Sequence, residues 1–347
     1  MTGERSAATN QAPAVIGSNA KDGRFFHVRD AAGPFSRGFA EAFYEPFQRE
    51  TGIRPIPVTG GIEPTGMIKD MVQNGDYAWD IAAISRASNL QLVREGDFLE
   101  EIGLATPGIE AIPPAYRSPW FIGNDVYANV IAFRNGAFAG RPAPDSWADF
   151  WNVAAFPGRR SLRRHPIDTL EEALLADGVG PRELYPLDVD RAFRSLDRIR
   201  PHIARWWTGA AEQTELLTGG DIDLCAISSI RAREAIELGA DVGVGWGQNI
   251  RTVEGWCILK GSPKAELCRE FIRFVATAER QAVFPRHVGS SPTIPAATGL
   301  IAPAHQAHLP DLPAHRASAI HSDAEFWSRH KDALIARFEA WFAEGGS

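Results

Sequence analysis

Short apolar runs, each bounded by turn-forming residues, alternate along this chain with segments of helical spacing. That alternation leaves few choices: it dictates α/β lobes built on largely parallel sheets. The runs that read as strands are 24–28, 53–58, 80–84, 126–133, 222–228, 242–246 and 256–259. Between the first two, Phe35, Phe39, Phe43 and Phe47 recur every four positions, the spacing of one helix face. Pro46 is expected to bend or end that helix, and Gly52 to close it. A second helix over 63–74 stops at Gly75 and leads into the strand 80–84, completing a strand-helix-strand unit.

At 347 residues the chain exceeds one ordinary core, so two lobes are expected. Its 44% apolar and 23% charged residues exclude wholesale disorder, a collagen-like rod and a coiled coil. With a net charge of −7 and scattered arginines it offers no basic stripe, so neither a nucleic acid nor an anionic membrane is an expected partner. The segment 1–22 is small and polar and reads as a flexible tail, either because a signal peptide has been removed or because none existed. Three cysteines, Cys225, Cys257 and Cys268, cannot all pair, and two of them lie inside apolar runs where a thiol behaves as a small hydrophobe. No CxxC or Cys/His cluster suggests a metal, and no cofactor is expected. Around 142–157 a proline-rich turn and the pair Asp145-Ser146 start a short aromatic helix, where the chain enters its second lobe. Further helices are expected over 168–177, 188–200 and 323–342.

Four segments, taken in order, carry a resemblance. They are 40–53 (Ala40 to Ile53), Tyr77-Ala78-Trp79-Asp80-Ile81 with Ser85, Asp145-Ser146-Trp147-Ala148-Asp149-Phe150-Trp151, and 206–224, which opens Trp206-Trp207-Thr208-Gly209. Together they resemble the substrate-binding proteins of bacterial ABC importers, in particular the spermidine/putrescine type. The resemblance implies a type II periplasmic-binding-protein fold: two α/β lobes joined by two crossing hinge strands, 126–133 and 255–259, with the ligand cleft between the lobes. It places lobe one at 23–130 plus 255–300 and lobe two at 131–254 plus 301–347. It further implies a non-enzymatic, monomeric periplasmic receptor that hands an amine-bearing or amino-acid-like solute to an inner-membrane permease.

Ligands of open α/β sheets collect beyond the carboxyl ends of strands, which directs attention to 29–36, 85–89, 228–231 and 247–254. Asp168 and Glu171, at i and i+3, can present two carboxylates to an ammonium from one helix face, or can simply cap the helix and favour its dipole. By position they match the amine-binding carboxylates of polyamine binders, as does Glu254. In the extended stretch Arg205-Trp206-Trp207, alternation sends Arg205 and Trp207 to one side and Trp206 to the other. An arginine fork facing the cleft would suit a carboxylate or phosphonate, and an indole a methylene chain or cation. That combination points to a zwitterion such as γ-aminobutyrate, and the alternative is a surface ion pair with both indoles in the core. Arg231 with Ser228, the pair Ser85 and Arg86, and the loop bearing Asp30, Phe35 and Ser36 complete the candidate ligand-binding set. Arg231 is also readable as the next helix's first charged residue, and the others as a Gly-Pro turn or a cap.

Micromolar capture needs about 8 kcal/mol, and charge-assisted bonds of ~1.5–3 kcal/mol plus an aromatic contact of ~1–2 kcal/mol reach it. No GxSxG and no Cys/His pairing favours an enzyme on the same bilobal fold. The five dispersed tyrosines do not favour a ferric-ion receptor.

Overall fold

The structure is a computed structural model that describes residues 24–30, 33–59, 64–104 and 108–344. The expected tail, together with Ala31, Ala32 and Glu63, lies outside the described residues. Eight strands form a continuous path: β1 (Phe25–Asp30), β2 (Arg54–Thr59), β3 (Ile81–Ser85), β4 (Phe121–Arg134), β5 (Arg160–Arg163), β6 (Ile203–Trp207), β7 (Leu224–Ser228) and β8 (Val242–Leu259). Their spatial order is β2-β1-β3-β8-β4-β7-β5-β6. The triads β2-β1-β3 and β7-β5-β6 are each parallel, while β8 and β4 run antiparallel through the middle. The expected α/β architecture with two connecting strands is therefore present.

Each triad carries its own apolar core. Phe26, Phe39, Phe43, Trp256 and Phe284 centre one, and Ile131, Trp147, Phe150, Leu174 and Phe338 centre the other. Phe39 stacks on Phe284 with ring centroids 4.8 Å apart, and full burial of each such ring is worth ~1.5–3 kcal/mol. Ile301 and Leu309 pack in the first core, whereas Ile320, Trp327 and Phe338 pack in the second. The stretch after residue 300, expected wholly in lobe two, is thus divided between the cores. All three cysteines are buried, and desolvation pushes the Cys225 and Cys257 thiols up to about 12, where they are inert.

Two local expectations are corrected, and one strand carries no sequence signal. The aromatic helix does not break at Pro46. A π-helical segment over Ala40–Tyr44 links Pro34–Phe39 to Glu45–Thr51, with Pro46 in the first turn of the last segment. The expected loop 247–254 belongs to β8, which fuses the runs 242–246 and 256–259. Its glycines are steric. A Cβ at Gly245 would lie 2.6 Å from the Pro144 carbonyl oxygen, and one at Gly247 2.3 Å from that of Asp145. Strand β5, Arg-Ser-Leu-Arg, gives no apolar signal, yet Arg160 is fully buried because its guanidinium donates to the carbonyls of Phe150, Gly158 and Phe156.

Gly255 occupies the bulge where β8 crosses β4, and a Cβ there would stand 2.4 Å from the Ile122 carbonyl oxygen. Gly255→Ala is expected to cost about 3 kcal/mol or more, because the neighbour is backbone and cannot swing away. Urea denaturation reads this directly, and a loss of less than about 1 kcal/mol would show that the two strands can part without penalty.

Candidate functional site

The carboxyl ends of β1, β3, β5, β6 and β7 converge on one cavity of about 260 Å³, with β4 and β8 as its floor. From β1 comes Arg29, buried, with Nη1 donating to the Ala83 carbonyl at 2.6 Å. Ser85 ends β3 and caps the helix Arg86–Glu95 by accepting from the Ser88 amide at 3.2 Å. Arg163 ends β5. Trp207 ends β6, its indole fixed by a 3.0 Å bond to the Ala226 carbonyl. Ser228 ends β7 and caps the helix Ser229–Glu237, which presents Ile230 and Arg231 to the cavity.

On the floor, Tyr127 pairs in register with Thr252, and Glu254 lies between Ser85 on one side and Asp125 on the other. Glu254, Tyr127 and Asn129 all line the cavity. Burial pushes the Tyr127 phenol well up, and the charges of Glu254 and Asp168 push it further, so it remains a neutral donor. Burial, then Glu254, likewise raises the Asp125 carboxyl beneath.

Asp168 departs from the expected helical geometry. Its φ of 70° and ψ of −48° are non-helical, as is Ile167 before it, so the regular helix begins only at Thr169. A non-glycine residue held there is strained, and such strain collects at binding sites. The conformation turns Asp168 into the cavity, 3.3 Å from Arg163. Burial raises its carboxyl while Arg163 pulls it back down.

It also separates Asp168 from Glu171, which share no helix face. Glu171 is fully buried and does not line the cavity; its Oε1 accepts from the Tyr185 hydroxyl at 2.5 Å and from the Trp327 indole at 2.6 Å. Of the other expected residues, Phe35, Ser85, Trp207, Ser228, Arg231 and Glu254 reach the cavity with Asp168.

The remainder stand elsewhere. Asp30, the last residue of β1, is buried and accepts the hydroxyl of Ser36 from the following helix, and neither lines the cavity. Arg86 donates to Asn89 at 2.8 Å and Ser118 at 3.1 Å, with its guanidinium over the Phe121 ring. Arg205 does lie on the same side of β6 as Trp207, but two residues back from the strand end. It is exposed, and among the described residues no strand lies beyond β6, which is the sheet edge. Trp206 faces the other way and packs on Phe338, Trp341 and Phe342 of the terminal helix Ala324–Glu344.

Arg29 lay in the stretch 29–36 that sequence reading marked but was not singled out there, and Arg163 was passed over because its strand, Arg160–Arg163, carries no apolar signal. No strand-end position marked Tyr127, Asn129 or Trp327. The first two sit mid-strand, and Trp327 arrives from the last helix, far along the chain. Among the described residues no group of three or more His, Cys, Asp or Glu is placed to hold a metal ion, and no helix is long and apolar enough to cross a membrane.

Two cores bridged by long strands around a polar, aromatic-walled cleft that holds charges of both signs define a receptor for a small solute. The chain matches the family of bacterial extracellular solute-binding proteins over residues 42–314, and it belongs to that family. It is similar to the γ-aminobutyric acid-binding protein of Pseudomonas aeruginosa, 34% identical over 309 residues, 87% of this chain and 86% of that one. A crystal structure of an ABC transporter substrate-binding protein from Bradyrhizobium japonicum USDA 110 superposes with a TM-score of 0.86 at 34% identity, covering 92% of this chain and 99% of that one. The binding protein AgtB of A. tumefaciens R10, solved with agropinic acid, gives 0.83 at 27% identity over 93% and 99%. The chain is the solute-binding component of an ABC transporter, a binding protein rather than an enzyme.

Proposed function

We propose that this chain captures a small zwitterionic amino acid of the γ-aminobutyrate kind, as a monomeric periplasmic receptor that closes its lobes on the solute and delivers it to an inner-membrane permease. One observation carries the reading: groups of both charges line a single cavity, Arg29 and Arg231 together with Glu254 and the Arg163–Asp168 pair. Arg231 approaches the loop after β1 closely enough that a Cβ on Gly33 would lie 3.1 Å from its Nη1, which brings it toward Arg29 and Phe35. Asp168 and Glu254 both act on Tyr127, on the floor. A carboxylate suits Arg29 and Arg231 and an ammonium suits Asp168 and Glu254, with Trp207 and Tyr127 walling the methylenes between. A polyamine has no anionic group to offer Arg29 and Arg231. The 34% identical Pseudomonas relative, named for γ-aminobutyrate, supports the same solute class.

Closure between the lobes would use β4 and β8 as hinges, as in other two-lobed receptors. Isothermal titration calorimetry with γ-aminobutyrate, putrescine, spermidine and agropinic acid tests the proposal. The expected result is a dissociation constant on the order of micromolar or tighter for γ-aminobutyrate and no heat with either polyamine. Tight binding of a polyamine without γ-aminobutyrate binding would overturn it.

A further inference from the structure

Glu171 matched by position a carboxylate expected on the ligand, but the structure gives it a different task. It lies three residues past Asp168, in the first turn of the regular helix, wholly buried, and its Oε1 receives both the Tyr185 hydroxyl and the Trp327 indole N–H. Its Oε2 is buried and finds no hydrogen-bond partner among the described residues. Trp327, 1% exposed, is the one of these three that lines the cavity. Its ring is also packed edge-on against Phe326, with centroids 5.5 Å apart. The terminal helix that carries it is tied on the other flank to the helix Arg86–Glu95, where Gln91 donates to Asp332 at 2.8 Å and Arg94 to the Ser328 carbonyl. The indole therefore has no freedom to retreat. Glu171 follows Asp168 by three residues and holds the Trp327 indole, and Asp168 and Trp327 both line the cavity, which places this wall on the Asp168 side.

Resting on the reading of a zwitterionic solute, we propose that Trp327 determines how long a carbon chain the cavity accepts. Glu171 is its positioning residue, serving as a hydrogen-bond acceptor and not as a charge on the solute. A solute with its carboxylate at Arg29 and Arg231 and its ammonium at Asp168 and Glu254 has both ends fixed. An added methylene must then press on whatever stands behind the ammonium. Burial pushes the Glu171 carboxyl up to about 8, which agrees with a neutral acid whose unpartnered oxygen carries the proton. Glutamine reproduces that neutral group and keeps the oxygen that accepts from Trp327 and Tyr185.

The test compares the parent with Trp327→Leu, Glu171→Gln, Glu171→Ala and the double variant Trp327→Leu/Glu171→Ala, using γ-aminobutyrate and 5-aminopentanoate. Trp327→Leu should shift the affinity ratio toward 5-aminopentanoate by about 10-fold or more, the scale set by one methylene in a fitted pocket. Glu171→Gln should bind γ-aminobutyrate within about 3-fold of the parent, and Glu171→Ala about 10-fold more weakly, since it strands two buried donors. In the Trp327→Leu background the alanine change should cost little further, the mark of action through the indole. An unchanged affinity ratio in Trp327→Leu overturns the length assignment, and a glutamine variant as weak as the alanine one overturns the acceptor role.

A second readout needs no ligand. The Trp327 indole N–H resonance, identified by its loss in Trp327→Leu, should hold its position in Glu171→Gln and move in Glu171→Ala. If the folded parent bound neither solute, the functional reading and the length assignment would fall together. The resonance would still decide the Glu171 role, and identical spectra for the two variants would reject it.

Discussion

Asp168→Asn is expected to lower the affinity for γ-aminobutyrate by about 100-fold, near 3 kcal/mol, and to lower the melting temperature as well, because it leaves Arg163 without its partner. Asparagine matches aspartate in shape and tolerates positive φ, so the strained turn survives the exchange. What disappears is the negative charge 3.3 Å from Arg163 in a buried setting. Arg163 is then left as an uncompensated cation beside the place where the solute's ammonium must sit, and a lost attraction becomes a repulsion. Calorimetry on the folded variant checks this. Affinity within a few-fold of the parent would mean that Asp168 is held by Arg163 alone and takes no part in recognition.

The second large effect concerns pH. In an unfolded chain Glu171 releases its proton near its ordinary 4.5, whereas in the fold it keeps it until about 8. Between those values the native state binds more protons than the unfolded one, so this group makes stability fall as pH rises through that window. A shift of that size corresponds to several kcal/mol, and Glu172, raised by burial and by its two acidic neighbours, adds a slope of the same sign. Glu171→Gln cannot ionise. It should leave stability at pH 5 nearly unchanged, raise it at pH 8, and flatten the profile between. Thermal melts of parent and variant across that range decide it, and parallel profiles would show that the Glu171 carboxyl is already ionised in the native protein.

Local interactions explain what could be read from the chain. The capped aromatic helix after Ser146, the helix stop at Gly75 and the strand before Ser85 all depend on contacts within a few residues, and each is found where spacing put it. The loop rule found Ser85, Ser228 and Arg231 for the same reason, since a residue that ends a strand stands at the sheet's rim whatever else the chain does. Arg205 failed on a global matter. Its side of β6 was assigned rightly, but whether that side faces a cleft or water depends on β6 being the outermost strand, which nothing within the strand records. Glu171 failed because two dihedrals at Ile167 and Asp168 leave the helix, and a periodic pattern assumes that they do not.

The sequence by itself determined the α/β class, the two cores and the kind of groups available for a solute, because apolar period and turn chemistry act over short distances. Tertiary structure alone decided which charges share the cavity. Tyr127 and Glu254 meet Asp168 only through the pairing register of β4 and β8, and Trp327 arrives from a helix more than 150 residues beyond Glu171. Placing those groups together rests on long-range packing, whose energy comes from burying the two cores and leaves no periodic trace in the residues it assembles.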